Sequence, residues 1–296
     1  MSETKKISAA EIAQLRARTG AGIGDCKKAL EEANGDQEVA GDILRKKGML
    51  KADKRADRVA AEGQMVAWAS PDSSLGVIIE LNSETDFVAR NDDFSAIAKL
   101  VAAHIANDTS LDGNADVGTD HALLGKQWHH DKSQTLGEVV KAAAAKTGEN
   151  VTLRRVARYA TTAGAVGYYL HHNAKVAVLV EIAGASGETA RTLANTIAEH
   201  IAAGVPTVAI AVSKENVPAE VVAKERAFLI DQAKAEGKPE AIAEKMVVGR
   251  LDKYFKERVL LEQPWVRDDS KSIGQLVKET AGASVVRFAR FQMGEG

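Results

Sequence analysis

Leu136-Gly137-Glu138-Val139-Val140-Lys141 returns later in the chain as Ile273-Gly274-Gln275-Leu276-Val277-Lys278, and Leu153-Arg154-Arg155-Val156-Ala157-Arg158-Tyr159 returns as Val285-Val286-Arg287-Phe288-Ala289-Arg290-Phe291. Two matches in the same order mark an internal duplication, and that duplication decides the architecture. Ahead of each pair lies a short aliphatic run that reads as a buried strand, residues 77–81 in the first copy and 176–182 in the second. An Ala-rich helical stretch follows each strand, residues 94–106 and 188–202, and both stretches end in His-Ile-Ala, at His104 and at His200. The predicted unit is therefore strand–helix–insert–helix–strand, an α+β unit with its helices on one face of a small antiparallel sheet, present twice.

The inserts differ. The first, residues 107–134, is Asp/Gly-rich with Leu123, Leu124 and Trp128 as its apolar anchors, so it reads as loop with one short helix. The second is helical: residues 218–236 place Val221, Val222, Phe228 and Leu229 at heptad-like spacing, Gly237-Lys238-Pro239 breaks the pattern, and residues 240–258 resume it with Ile242, Met246, Val248, Leu251 and Phe255. That is an antiparallel helical hairpin with arms of about 27 Å at 1.5 Å per residue. Two helices alone cannot enclose both of their apolar stripes, so the hairpin is expected to meet another surface.

Ahead of the duplicated region, Ser8-Ala9-Ala10-Glu11 has the capping-box pattern, and Ile12 and Leu15 continue it as a helix ending at Gly20. A second helix is expected from Asp25 as N-cap to Asn34-Gly35, and a third from Asp36 to Gly48. The predicted organisation is a three-helix module with its connector over residues 1–55, a first α+β subdomain over 56–160, and a second over 161–296 that contains the hairpin at 218–258.

With 296 residues the chain suits two or three such units. A net charge of -2 with 27% charged residues gives no basic field for nucleic acid, so a protein or small molecule is the expected partner. Cys26 is the single cysteine, which fits a reducing compartment, and no uncharged apolar run is long enough for a membrane span. The polar start, Met1 to Lys6, runs into no apolar segment. The expectation is a soluble cytoplasmic protein.

Chemistry finds little footing. Gly20-Ala21-Gly22-Ile23-Gly24-Asp25-Cys26-Lys27-Lys28 lacks the phosphate-loop register and follows a helix instead of a strand, so it reads as a helix–helix turn exposing Ile23. The pairs His129-His130 and His171-His172 have no cysteine or carboxylate cluster to complete a metal site; His171, in the turn before the strand at 176–182, reads as a surface or contact residue. No nucleophile–base arrangement is visible, and neither a cofactor nor a metal is expected. What stands out is Phe87. The strand at 77–81 gives way to Asn82-Ser83-Glu84-Thr85-Asp86, five polar residues that call for a turn, and a large aromatic follows at once. Either Phe87 folds back onto the helix beginning near Asp93, or it is presented to a partner's pocket with Asp86 as a charge beside it.

Two segments resemble the elongation factor Ts family: Leu15-Arg16-Ala17-Arg18-Thr19-Gly20-Ala21-Gly22-Ile23-Gly24-Asp25-Cys26-Lys27-Lys28-Ala29-Leu30 and Glu80-Leu81-Asn82-Ser83-Glu84-Thr85-Asp86-Phe87-Val88-Ala89-Arg90. The order of parts is also similar: a ubiquitin-associated-like helical module, two related α+β subdomains, and a hairpin in the second. The resemblance implies a factor that promotes GDP release from elongation factor Tu, binding it in GDP-bound and nucleotide-free states. It implies that Thr85-Asp86-Phe87-Val88 intrudes near the Mg²⁺ site, with Phe87 entering an apolar pocket between helices of the GTPase and Asp86 disturbing the network that holds the metal. Leu15, Arg16 and Ile23 match the patch that docks on the nucleotide domain, and His171 matches a contact histidine. A homodimer or 2:2 complex through the hairpin is a further expectation.

Overall fold

Ser8 Oγ accepts from the Glu11 amide while the Glu11 carboxylate takes the Ser8 amide, and this reciprocal cap starts helix α1 (Ala9–Thr19) in the computed structural model, which describes residues 6–237 and 240–295. Gly20 closes α1 in the left-handed conformation at φ 69°. Helix α2 (Ile23–Glu32) begins at Gly22 and not at Asp25. Asp25 sits instead in the first turn of α2, where the helix dipole favours a carboxylate, and it reaches Lys51 at 3.1 Å. Helix α3 (Gln37–Asp53), capped by Asp36, runs straight through Gly48.

Gly48 is there for packing rather than as a stop. A Cβ at that position would lie 2.9 Å from the Ala145 Cβ, so its absence lets α3 lie close on a helix of the first subdomain. Gly48→Val should therefore force the two helices apart at a cost of about 1–3 kcal/mol. Thermal unfolding of the variant would measure that, and an unchanged midpoint would mean that the helices separate freely.

The first copy contains β1 (Glu62–Ala69), β2 (Leu75–Ser83), the short α4 (Asp86–Ala89), α5 (Asp92–Asn107), β3 (Gly113–Asp116), α6 (Leu136–Thr147) and β4 (Thr152–Ala160). The second contains β5 (Gly164–Leu170), β6 (Val176–Ala183), α7 (Gly187–Ala203), the hairpin arms α8 (Ala219–Ala235) and α9 (Glu240–Arg258), the small pair β7 (Pro264–Trp265) and β8 (Asp268–Ser272), α10 (Ile273–Glu279) and β9 (Ser284–Gln292). The Lys238-Pro239 break of the hairpin lies outside the described residues. The α+β architecture expected from the repeat is the one observed, with an added leading strand in each copy: the antiparallel sheets run β1-β2-β4-β3 and β5-β6-β9.

Those leading strands escape sequence reading because Glu62–Ala69 and Gly164–Leu170 are thin in β-branched residues and carry glycines. Gly167 is required by close approach, since a Cβ there would come within 2.6 Å of Ala194 and Asn195 of α7. The one short helix of the first insert is a 3₁₀ turn at Ala122–Gly125 that anchors Leu123, and the insert also adds β3 to the edge of the sheet.

Each sheet buries one face under its own helices and the other against its sister. Val77, Ile79, Leu81, Phe94, Val101 and Ile105 form the core of the first unit; Val178, Val180, Ile182, Leu193, Ile197 and Ile201 form that of the second. Between the sheets lie Met65, Ile78, Tyr159, Val166, Leu179 and Phe291. The duplication is exact enough in register that Glu80 faces Arg155 across β2/β4 and Glu181 faces Arg287 across β6/β9, each at 2.6 Å. Each arginine then stacks on the other copy's aromatic, Arg155 on Phe291 at 4.8 Å and Arg287 on Tyr159 at 4.2 Å.

The shared His-Ile-Ala endings have a structural explanation. His104 Nδ1 accepts the His129 amide at 3.1 Å and stacks on Trp128 at 5.0 Å, while His200 Nδ1 accepts the Val266 amide at 3.2 Å. In both copies a buried imidazole thus pins the returning end of the insert. Desolvation holds both histidines below the usual imidazole range. The unfolded chain takes up protons at these positions near pH 6.5 that the folded chain refuses, so this contribution to stability is full above about pH 6.5 and is lost as the pH falls toward the lowered folded-state values. Urea midpoints should accordingly drop between pH 7.5 and pH 5.5, whereas equal midpoints would contradict the assignment. Among the described residues no helix is long and apolar enough to cross a membrane.

Candidate functional site

Strand β2 is buried along nearly its whole length, and its end at Ser83 delivers the chain to a tightly held turn. Thr85 is the N-cap of α4: its Oγ1 accepts the Val88 amide at 3.4 Å and donates to the Glu149 carboxylate at 2.6 Å, while its own amide donates to the other Glu149 oxygen at 3.0 Å. On the far side of the turn Ala89 is buried, its carbonyl accepts from Gln64 Nε2, and Val88 packs partly into the core of the first subdomain. Thr85, Val88 and Ala89, on the two sides of Phe87, are thus anchored.

Phe87 itself is not. It is 84% exposed, the largest exposure of any described bulky apolar residue. An aromatic of this size ordinarily finds an interior place. A single turn of helix fixed at both ends thus displays a bulky apolar ring to solvent. Asp86, beside it, forms an exposed pair with Arg90 at 2.9 Å, an interaction weak enough to be exchanged for another.

A cleft of about 810 Å³ opens next to the turn, between the three-helix module and the first subdomain. Arg16 and Ile23 line one wall and Val88 and Asp93 the other, where Lys146 pairs with Asp93 at 2.7 Å. The structure thus brings Arg16, Ile23 and the Thr85–Val88 turn to one side of the molecule. Ile23 is 58% exposed.

Leu15, expected on the same docking patch, is fully buried among Cys26, Ala29, Leu30 and Ala40. It offers no surface to a partner; its helical spacing from Ile12 points it inward, where it holds the module together. His171 lies apart from the cleft, in the β5–β6 turn, with its Nδ1 3.1 Å from the Tyr169 hydroxyl. Sequence reasoning missed Glu149 altogether. It follows α6 in an irregular Gly148-Glu149-Asn150 stretch, and nothing local signals a partner 64 residues away. Asn150, which matches a glycosylation sequon, is buried and donates to the Ala56 and Arg58 carbonyls. Among the described residues no group of three or more His, Cys, Asp or Glu side chains is placed to hold a metal ion.

Fold and site together define a duplicated α+β protein that displays an outward aromatic, on a turn anchored at both ends, beside a helical module. The family model for Elongation factor TS matches residues 84–295. The Elongation factor Ts of Alkalilimnicola ehrlichii is 44% identical over 290 residues, covering 98% of this chain and 93% of that one. Those of Halothermothrix orenii (40% over 290 residues; 98% and 93% covered) and Clostridium botulinum strain Eklund 17B (43% over 296 residues; 98% and 94% covered) are similar over the same extent. The chain belongs to the elongation factor Ts family, a family of translation elongation factors.

Proposed function

We propose that this chain is a guanine nucleotide exchange factor: it binds elongation factor Tu·GDP, dislodges Mg²⁺, and promotes GDP release so that GTP can bind, with no covalent chemistry of its own. The observation that carries the reading is the outward ring of Phe87 on a turn held at Thr85 and at Ala89. In this reading Phe87 enters an apolar pocket of the GTPase. Asp86 leaves its exposed partner Arg90 to compete in the network around the metal, Thr85 and Val88 keep the turn in shape, and Arg16, Ile23 and His171 make docking contacts.

The mechanism is linkage: a factor that weakens GDP binding by some ratio is itself bound more weakly by the same ratio when GDP is present. A nucleotide held with nanomolar affinity leaves at about 10⁻⁴ to 10⁻² per second for association at roughly 10⁵ to 10⁷ M⁻¹s⁻¹. Accelerating that by about four decades lowers the barrier by roughly 5.5 kcal/mol. Burying one phenylalanine contributes about 1.5–3 kcal/mol, so lost metal and phosphate contacts in the GTPase supply the remainder. The direct test adds the chain to elongation factor Tu loaded with fluorescent GDP. Rapid loss of signal is expected, and an unchanged release rate would overturn the reading.

A second reading rests on the hairpin, where Phe228, Ile242 and Val248 remain exposed while Leu229, Ala233 and Val247 are buried. That face supports a homodimer or a 2:2 complex with the GTPase. A dimeric scaffold would leave GDP release untouched, and light scattering of the free chain and of its complex separates the assemblies.

A further inference from the structure

The duplication supplies an internal control for the Phe87 turn. From the register of the two sheets, Glu80, Leu81 and Asn82 occupy the places of Glu181, Ile182 and Ala183, and Thr152 that of Ser284. Glu84, Thr85, Glu149 and Asn150 therefore correspond to Ala185, Ser186, Ala281 and Gly282. In the first copy the junction between the end of β2 and the end of α6 is closed by side chains in a reciprocal pattern. Glu149 takes the Thr85 amide and hydroxyl, and Glu84 Oε1 takes the Asn150 amide at 2.6 Å. Asn150 Nδ2 in turn donates to the Ala56 and Arg58 carbonyls at 3.1 and 2.7 Å, in the connector that arrives from the three-helix module.

The second copy closes the same junction with no such side chains. Gly184 and Gly282 come together backbone against backbone, so closely that a Cβ on Gly184 would lie 2.0 Å from the Gly282 carbonyl oxygen. The second copy thus closes this junction without carboxylates. The two copies also differ in length just here. Positions 85 and 104 are 19 apart, whereas the corresponding positions 186 and 200 are 14 apart, so the first copy has five more residues. Those residues make α4, the turn that displays Phe87, where α7 simply begins.

We infer that Glu149 is a positioning residue for nucleotide exchange: it fixes the angle at which Phe87 is presented and, with Glu84 and Asn150, ties that angle to the three-helix module. The inference rests on the exchange-factor reading and adds to it a residue that need not touch the GTPase. Without Glu149, the Thr85 amide and hydroxyl turn to solvent and the turn samples orientations in which the ring misses its pocket. Binding through the module and the second subdomain persists, so the defect falls on the rate within the complex and not on its formation.

The experiment is stopped-flow release of fluorescent GDP from elongation factor Tu, over a range of concentrations of the full chain, for wild type, Glu149→Ala, Glu149→Gln, Phe87→Ala and the double variant Phe87→Ala/Glu149→Ala. Glu149→Ala should lower the maximal release rate about tenfold with less than a roughly threefold change in the half-saturating concentration. Glu149→Gln, which keeps one acceptor for the Thr85 hydroxyl, should fall between it and wild type. In the Phe87→Ala background the second substitution should cost less than about twofold, because there is no ring left to aim. Circular dichroism melts of each variant identify any loss of fold, in which case Glu149→Gln decides alone. A maximal rate for Glu149→Ala within about twofold of wild type, or an equal loss with and without Phe87, overturns the inference. No effect of Phe87→Ala itself would instead overturn the wedge on which it rests.

Discussion

Phe87→Ala should slow GDP release from elongation factor Tu by about 10- to 150-fold at saturating concentration, the equivalent of the roughly 1.5–3 kcal/mol that one buried phenylalanine contributes. The ring is almost wholly exposed in the free chain, so its removal opens no cavity and leaves the melting temperature unchanged. That separation makes the experiment clean: a loss of exchange with no loss of stability is a contact effect. Residual acceleration is expected because Asp86, Arg16 and Ile23 are untouched, and docking should weaken less than the rate falls. If the variant releases GDP at the wild-type rate, the turn is not the acting element.

Glu80→Ala should produce the second large effect, on stability. The Glu80 side chain is fully buried on β2 and receives both Arg154 at 3.3 Å and Arg155 at 2.6 Å. Removing one partner of a buried ion pair costs about 3–5 kcal/mol, since the remaining charges lose their counterion inside the protein. The low end, about 3 kcal/mol, is expected because Arg155 keeps the Gln292 carbonyl and its stack on Phe291. A urea midpoint lower by roughly 1 M would report it. Glu181→Ala should cost less, because Arg287 is more exposed and retains Asp112 at 2.7 Å. Equal losses at the two positions would show that burial does not govern the pair.

The repeat made the α+β duplication legible, since the strands and helices with strong periodic patterns are those that bury continuous apolar faces. The hairpin and the Ser8 cap were legible for the same reason. The leading strands at Glu62–Ala69 and Gly164–Leu170 were not, because glycine and alanine at a close sheet–helix or sheet–sheet approach erase the hydrophobic alternation that marks a strand. Gly48 misled for a related reason: inside a helix, a glycine admitting a neighbour looks the same in sequence as a glycine ending the helix. At the site, Phe87 was visible as an aromatic in a polar turn, but its direction depended on Glu149 and Gln64, partners far along the chain. Leu15 shows the converse, a residue within a recognisable segment whose neighbours Cys26 and Leu30 turn it inward.

Arg155 is braced by its own strand partner Glu80 yet rests on Phe291, and Arg287 is braced by Glu181 yet rests on Tyr159. Neither half can melt without stripping the cover from a ring that belongs to the other, so the two halves form one cooperative unit, in effect a homodimer whose subunits share a single backbone.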